Sequence, residues 1–135
     1  MGSIIVDAGP LIALFRKRDR HHARVKRFLS TNRARLVSTL PVITEVCHFL
    51  NTDGKIALLT WIGRGGLSLQ PVGTDDLPEI TTLIERYADR EMDFADATLV
   101  WLAELINTLD VMTVDRQDFL VYRSRGGEAF NLVLS

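Results

Sequence analysis

Residues 4–15 read "IIVDAGPLIALF". Ile4, Ile5 and Val6 are β-branched and favour an extended strand. Asp7 interrupts them, Gly9 and Pro10 break the chain direction, and a second apolar run follows from Leu11 to Phe15. An unpaired carboxylate buried in such surroundings costs roughly several kcal/mol. Asp7 therefore either caps a helix at a solvated edge or answers to a charge nearby. Pro suits a first helical turn, so the stretch predicts a strand, an acid at its C-terminal end, and a helix from about Pro10.

The same alternation continues outward. Asp19 is placed to cap a helix over "RHHARVKRFL", "RLVST" is a short strand, and Pro41 opens the helix "PVITEVCHFLN". "GKIALLTWI" is helical and stops at "GRGG"; "LSLQPV" is a strand, and "TDD" leads into the helix "LPEITTLIERYA". "FADATLVWLAELIN" is an apolar helix entered through Asp93, while "DVMTV" and "FNLVL" are strands. Strands alternating with helices predict an α/β fold: a mostly parallel central sheet with helices on both faces. No linker, repeat or low-complexity segment divides the chain, and residues 1–135, 47% hydrophobic, read as one domain with enough material for a core.

Composition excludes several classes. No apolar run approaches the ~18 residues of a membrane span, and no leader pattern precedes the first strand. The lone Cys47 cannot form an internal disulfide and fits a reducing compartment, so the expected location is the cytoplasm. The net charge of −1 hides an asymmetry, since nine of the 16 Lys and Arg lie within residues 1–35. Arg16, Lys17, Arg18, Arg20 and Arg24 head that cluster, which is either a solvated helix face or a phosphate-binding patch.

The acids fall at corresponding places. Asp7 ends the first strand and Asp115 follows "DVMTV", with Asp118 one turn on. Glu45 lies in the helix after the second strand, and Asp93 and Asp96 open the apolar helix one turn apart. Asp93 and Asp118 each have a simpler reading, as a helix cap and a turn residue. In open α/β sheets, sites form beyond the carboxyl ends of the strands. Two carboxylates ~4 Å apart repel by about 4 kcal/mol at an effective dielectric near 20, and a hard divalent cation removes that repulsion. All-oxygen ligands favour Mg²⁺ or Mn²⁺ over zinc. His21 and His22 are adjacent and point apart, and His48 stands alone, so all three read as structural or surface residues.

"IIVDAGPLIALF", "PVITEVCHFL", "MDFADATLVWLAE" and "VMTVDRQDF", in this order, resemble the PIN-domain ribonucleases, and among them the VapC-type toxins of toxin–antitoxin modules. The resemblance spans essentially the whole chain. It implies a three-layer α/β/α sandwich and Mg²⁺- or Mn²⁺-dependent endoribonuclease activity leaving 5′-phosphate and 3′-hydroxyl ends. It also implies an antitoxin partner and a homodimer. Carried over by motif, the catalytic metal-binding acids are Asp7, Glu45, Asp96 and Asp115. Asp93 and Asp118 are auxiliary acids, Thr113 orients Asp115, and the basic cluster with Arg116 holds the RNA backbone. One departure stands out: Ala8 occupies a position where many members carry Ser or Thr.

Four other readings compete. A phosphoacceptor receiver domain wants paired acids after its first strand and a late lysine, but the last lysine is Lys55. A haloacid-dehalogenase-type phosphatase wants a second Asp at position 9, which is Gly. A PIN-like module that has lost activity would only dock a partner, and the presence of all four acids argues against it. A PIN nuclease of RNA processing outside a toxin pair differs in substrate and partner. An apolar contact surface for a partner is expected in "GKIALLTWIGRGGL", where Trp61 either anchors the contact or, more often for such a residue, packs in the core.

Overall fold

The structure is a computed structural model that describes residues 2–134. Five strands form one sheet: β1 (Ser3–Val6), β2 (Arg35–Thr39), β3 (Ser68–Gln70), β4 (Asp110–Met112) and β5 (Asn131–Leu132). Their order is β3-β2-β1-β4-β5, and all four ladders are parallel. The opening stretch thus supplies the central strand. Ile4, Ile5 and Val6 point alternately to opposite faces, yet all three are buried, so helices cover both sides of the sheet. This is the α/β/α sandwich expected from the alternation.

The helices are α1 (Ala8–Phe15), α2 (His22–Thr31), α3 (Leu40–His48), α4 (Thr52–Gly63), α5 (Leu77–Arg86), α6 (Phe94–Leu105) and α7 (Arg116–Val121). Helix α6 is the most deeply packed: every residue from Ala97 to Ala103 is buried, as its nearly continuous apolar sequence requires. The hydroxyls of Thr39 and Thr98 meet at 2.7 Å, and Thr98 also donates to the Ala95 carbonyl at 2.7 Å. These buried bonds tie the end of β2, where α3 starts, to the first turns of α6. The two-residue β5 keeps one edge of the sheet short, which limits strand addition there.

Several local expectations shift. Helix α1 begins at Ala8 rather than Pro10, because Asp7 itself caps it and places Pro10 inside the first turn. Asp19 does not cap α2: its carboxylate accepts from the His21 N–H at 2.8 Å in a turn, and α2 begins at His22. Helix α3 stops at His48, three residues early, where Asn51 caps α4 by accepting from the Gly54 N–H at 2.8 Å. Trp61 is half-buried, its ring 5.4 Å from that of Phe15, so it belongs to the packing. The apolar side chains that α4 leaves exposed are Ile56 and Leu59. Helix α7 has no counterpart among the expected elements.

Gly9 lies against the segment that carries Thr113 and Asp115. A methyl group at Gly9 would run into the side chain of Val114, whose β-branched carbons have little room to turn aside. Gly9→Ala is therefore expected to cost about 1–3 kcal/mol, read as a lowered Tm. Adding Val114→Ala should recover most of it; no recovery would mean that the cost lies in the backbone of α1.

Candidate active site

Asp7 sits one residue beyond β1, and its backbone N–H extends the sheet pairing by donating to the Met112 carbonyl at 3.0 Å. Its carboxylate is fully engaged. Oδ1 accepts from the Ala8 N–H at 2.8 Å, and Oδ2 accepts from the Thr113 hydroxyl at 2.8 Å. The same hydroxyl lies 2.9 Å from the Asp115 carbonyl. Thr113, expected to orient Asp115, reaches it at the backbone carbonyl and also holds the Asp7 carboxylate through its side chain. The position of Ala8 contributes its N–H, and the hydroxyl beside Asp7 comes from the other strand end.

Asp96 stands in the first turn of α6, whose cap is Asp93. The Asp93 carboxylate accepts from the Asp96 N–H at 2.8 Å, so the capping reading of Asp93 holds, and its charge still faces the other acids. Asp115 caps α7 by accepting from the Gln117 N–H at 3.2 Å. Asp118, in the first turn of α7, is paired with Arg90 at 3.0 Å. Glu45 is half-buried in α3, facing its neighbours across a groove of about 610 Å³ lined by Leu40, Glu45, His48, Asp93 and Phe94.

The acids feel one another. Burial pushes the Asp96 carboxyl up to about 8, with Asp7 and Asp93 adding to the effect and the Tyr122 phenol opposing it. Burial likewise raises Asp7 to about 6; its bonds to Thr113 and Ala8 oppose this, while Asp93 and Asp115 add to it. Glu45 is raised by burial first and then by Asp93 and Asp7, with His48 acting the other way. Carboxyls from the ends of β1 and β4, the start of α6 and the body of α3 thus share one electrostatic field at the C-terminal edge of the sheet.

Two participants carry no sequence motif. The Tyr122 hydroxyl donates to Asp96 Oδ2 at 3.1 Å, and Arg90 offsets the charge of Asp118. Tyr122 lies 26 residues from its partner and Arg90 lies 28 from its own, so only the folded chain pairs them.

The basic cluster is not drawn into the acids. Arg16 ends α1, an eight-residue helix of about 12 Å that carries the chain away from Asp7. Arg16, Lys17 and Arg18 border a separate cavity of about 720 Å³ with Phe49 and Leu50. Arg20 and Arg24 follow on the turn into α2 and on α2 itself, and Arg24 Nε is buried without a partner. Arg116 adjoins Asp115, but its guanidinium donates to the Leu134 carbonyl at 3.1 Å.

Among the described residues, no three His, Cys, Asp or Glu side chains are gathered closely enough to enclose an ion as they stand. The donor chemistry fits a hard divalent cation all the same. Every candidate ligand is a carboxylate oxygen, and a bound cation would offset both the burial that chiefly raises Asp7, Glu45 and Asp96 and the repulsion that adds to it.

The profile of the PIN domain family matches residues 4–123, which takes in Asp7, Glu45, Asp93, Asp96, Asp115 and Asp118. The chain belongs to the PIN domain family. Ribonuclease VapC26 of Mycobacterium tuberculosis (strain ATCC 25618 / H37Rv) is 27% identical over 134 residues, covering 96% of this chain and 99% of that protein. The crystal structure of Mycobacterium tuberculosis VapC20, described as a sarcin-ricin loop cleaving toxin, superimposes with a TM-score of 0.76 at 20% identity. That likeness covers 85% of this chain and 93% of that one. At this identity it speaks for the PIN fold. No helix among the described residues is long and apolar enough to cross a membrane.

Proposed function

We propose that this PIN domain is a metal-dependent endoribonuclease, the toxin component of a type II toxin–antitoxin pair, working in the cytoplasm as a single domain over residues 1–135. The observation that carries the reading is the shared field at the sheet edge, where Asp7, Glu45 and Asp96 are raised by burial first and then by neighbouring acids, Asp93 among them in every case. Likeness to ribonuclease VapC26 along nearly the whole chain supports RNA as the substrate.

Asp7, Asp96 and Asp115 would hold Mg²⁺ or Mn²⁺, with Glu45 bridging through water or holding a second ion. A bound ion supplies water activation near neutral pH and offsets charge on the phosphate under attack. The chain does the positioning. Thr113 and the Ala8 N–H fix both oxygens of Asp7, and Asp93 and Asp115 fix the starts of α6 and α7. Asp118, paired with Arg90, adds negative charge without crowding the centre. The groove beside Glu45, with exposed Leu40 and Phe94 on its rim, takes the RNA strand and is where an antitoxin segment lies when the enzyme is held inactive. Ile56 and Leu59 on α4 supply the apolar face for a homodimer.

The test is cleavage of total RNA with Mn²⁺, with Mg²⁺ and with chelator. Cleavage that needs the ion and leaves 5′-phosphate ends supports the reading; binding of RNA without cleavage in Mn²⁺ would leave an inactive PIN module instead. Arg16, Lys17, Arg18, Arg20, Arg24 and Arg116 track the RNA backbone in this reading. Replacing Arg18 and Arg20 with Ala should then reduce the dependence of log K on log salt by about 0.7 for each lost contact. An unchanged salt slope would remove the cluster from the RNA path.

A further inference from the structure

Tyr122 sits at the C-terminal end of α7, while Asp115 caps the start of the same helix. Six residues of helix span about 9 Å, so one short element delivers an acid at one end and a phenol at the other. The phenol donates to Asp96 Oδ2 at 3.1 Å, although Tyr122 itself is only 1% exposed. Among the described residues, the single buried side-chain polar atom left without a partner is Arg24 Nε. Oδ1 of Asp96 accepts no hydrogen bond and is not among the buried unpartnered atoms, so solvent reaches it and it is free to take a ligand.

The ring that carries the phenol is held on several sides. Tyr87 meets it edge-on with centroids 4.9 Å apart, and Phe119 does so at 5.2 Å with the planes at 85°. Phe130 backs Phe119 at 5.7 Å. The Tyr87 hydroxyl accepts from the Arg123 N–H at 2.9 Å, which clamps the backbone directly after Tyr122. The Tyr122 N–H closes the last turn of α7 on the Asp118 carbonyl at 3.0 Å. A side chain with two torsions, packed against two rings and tied at its backbone, is a rigid donor with little entropy left to lose.

We infer that Tyr122 is a positioning residue: its phenol holds one oxygen of Asp96 and aims the other at the metal-binding centre. The assignment rests on the reading of Asp96 as a metal ligand given above. Partners of this kind orient a ligating carboxylate, and their loss typically costs about 10–100-fold in metal affinity or activity. The competing account is that a buried phenol merely needs an acceptor and Asp96 is the nearest one.

Tyr122→Phe separates the two, because it keeps the ring contacts and removes only the hydroxyl. Mn²⁺ alone is the probe, its free concentration followed by electron paramagnetic resonance against protein without RNA. The expected result is a metal-free Tm within about 2 °C of the parent and a Mn²⁺ dissociation constant about tenfold higher. Parent affinity in the variant would overturn the inference while leaving Asp96 a ligand. A large fall in Tm with unchanged Mn²⁺ affinity would also overturn it, making the residue part of the packing only. A parent protein that takes up no Mn²⁺ would bring down the metal reading of the acids, and this inference with it.

Discussion

Asp96→Asn is expected to abolish Mn²⁺-dependent RNA cleavage while raising the metal-free Tm. The two effects have opposite signs because one side chain carries both. As a metal ligand, Asp96 cannot be replaced by an amide: the charge that draws the ion is gone, and one of its two oxygens becomes a donor. Loss of partners that only orient a ligand costs about 10–100-fold, so loss of a ligand should cost about a hundredfold or more. As a member of a crowded acidic field, Asp96 is a burden on the fold, since its carboxyl is held near 8 by burial, Asp7 and Asp93. Asn has nearly the same shape and keeps a carbonyl that the Tyr122 phenol can reach. It removes the repulsion at little packing cost. A gain of about 2 kcal/mol at pH 8, roughly 8 °C, is the scale to look for. Cleavage at the parent rate would end the assignment of Asp96, and unfolding would make it chiefly a structural residue of the first turn of α6.

The legible part of this protein follows from short-range chemistry. Three β-branched residues and an acid fixed β1 as the central strand, and the continuous apolar run of α6 announced a helix buried on every side. Acids placed at strand and helix ends were readable because the parallel sheet sends those ends to one edge. What stayed illegible depends on pairings distant in the chain. Nothing in "VYRSR" distinguishes Tyr122 from a core aromatic until α7 folds beside the start of α6. Thr113 sits two residues before Asp115 and its hydroxyl does reach the Asp115 carbonyl, but its contact with Asp7, 106 residues away, is set by strand register and is invisible locally. Helix α7 was missed because its six residues lack the length for a clear period. The charge cluster near the N-terminus suggested proximity to the acids that the length of α1 does not provide.

The metal-free protein should lose stability as pH rises from 5 to 8, and Mn²⁺ should reverse the trend. Asp7 and Asp96 have an ordinary value of 3.8 but stand near 6 and near 8 in the fold. Between the unfolded and folded values, the folded state binds more protons than the unfolded one, so the free energy of unfolding falls with pH across that interval. The Asp7 contribution is spent by about pH 6, and that of Asp96 continues to about pH 8. Glu45 is raised by the same neighbours and acts in the same direction. His21 is lowered by burial and by Arg24 and Arg20, which favours the fold as pH rises, but it is a single group away from the acids. Each unit of displacement corresponds to about 1.4 kcal/mol, reduced where solvent reaches the site. A net loss of about 2 kcal/mol, roughly 8 °C in Tm, is expected over that range. Mn²⁺ competes with the protons for the same oxygens, so its binding strengthens where the metal-free fold weakens. At a hundred times its dissociation constant it adds about 2.7 kcal/mol, enough to make the Tm at pH 8 equal or exceed that at pH 5. Differential scanning calorimetry at four pH values, with Mn²⁺ and with chelator, reads both slopes. A metal-free Tm that is flat over the range would mean that the acids do not share a field, and the case for an ion between them would lose its physical basis.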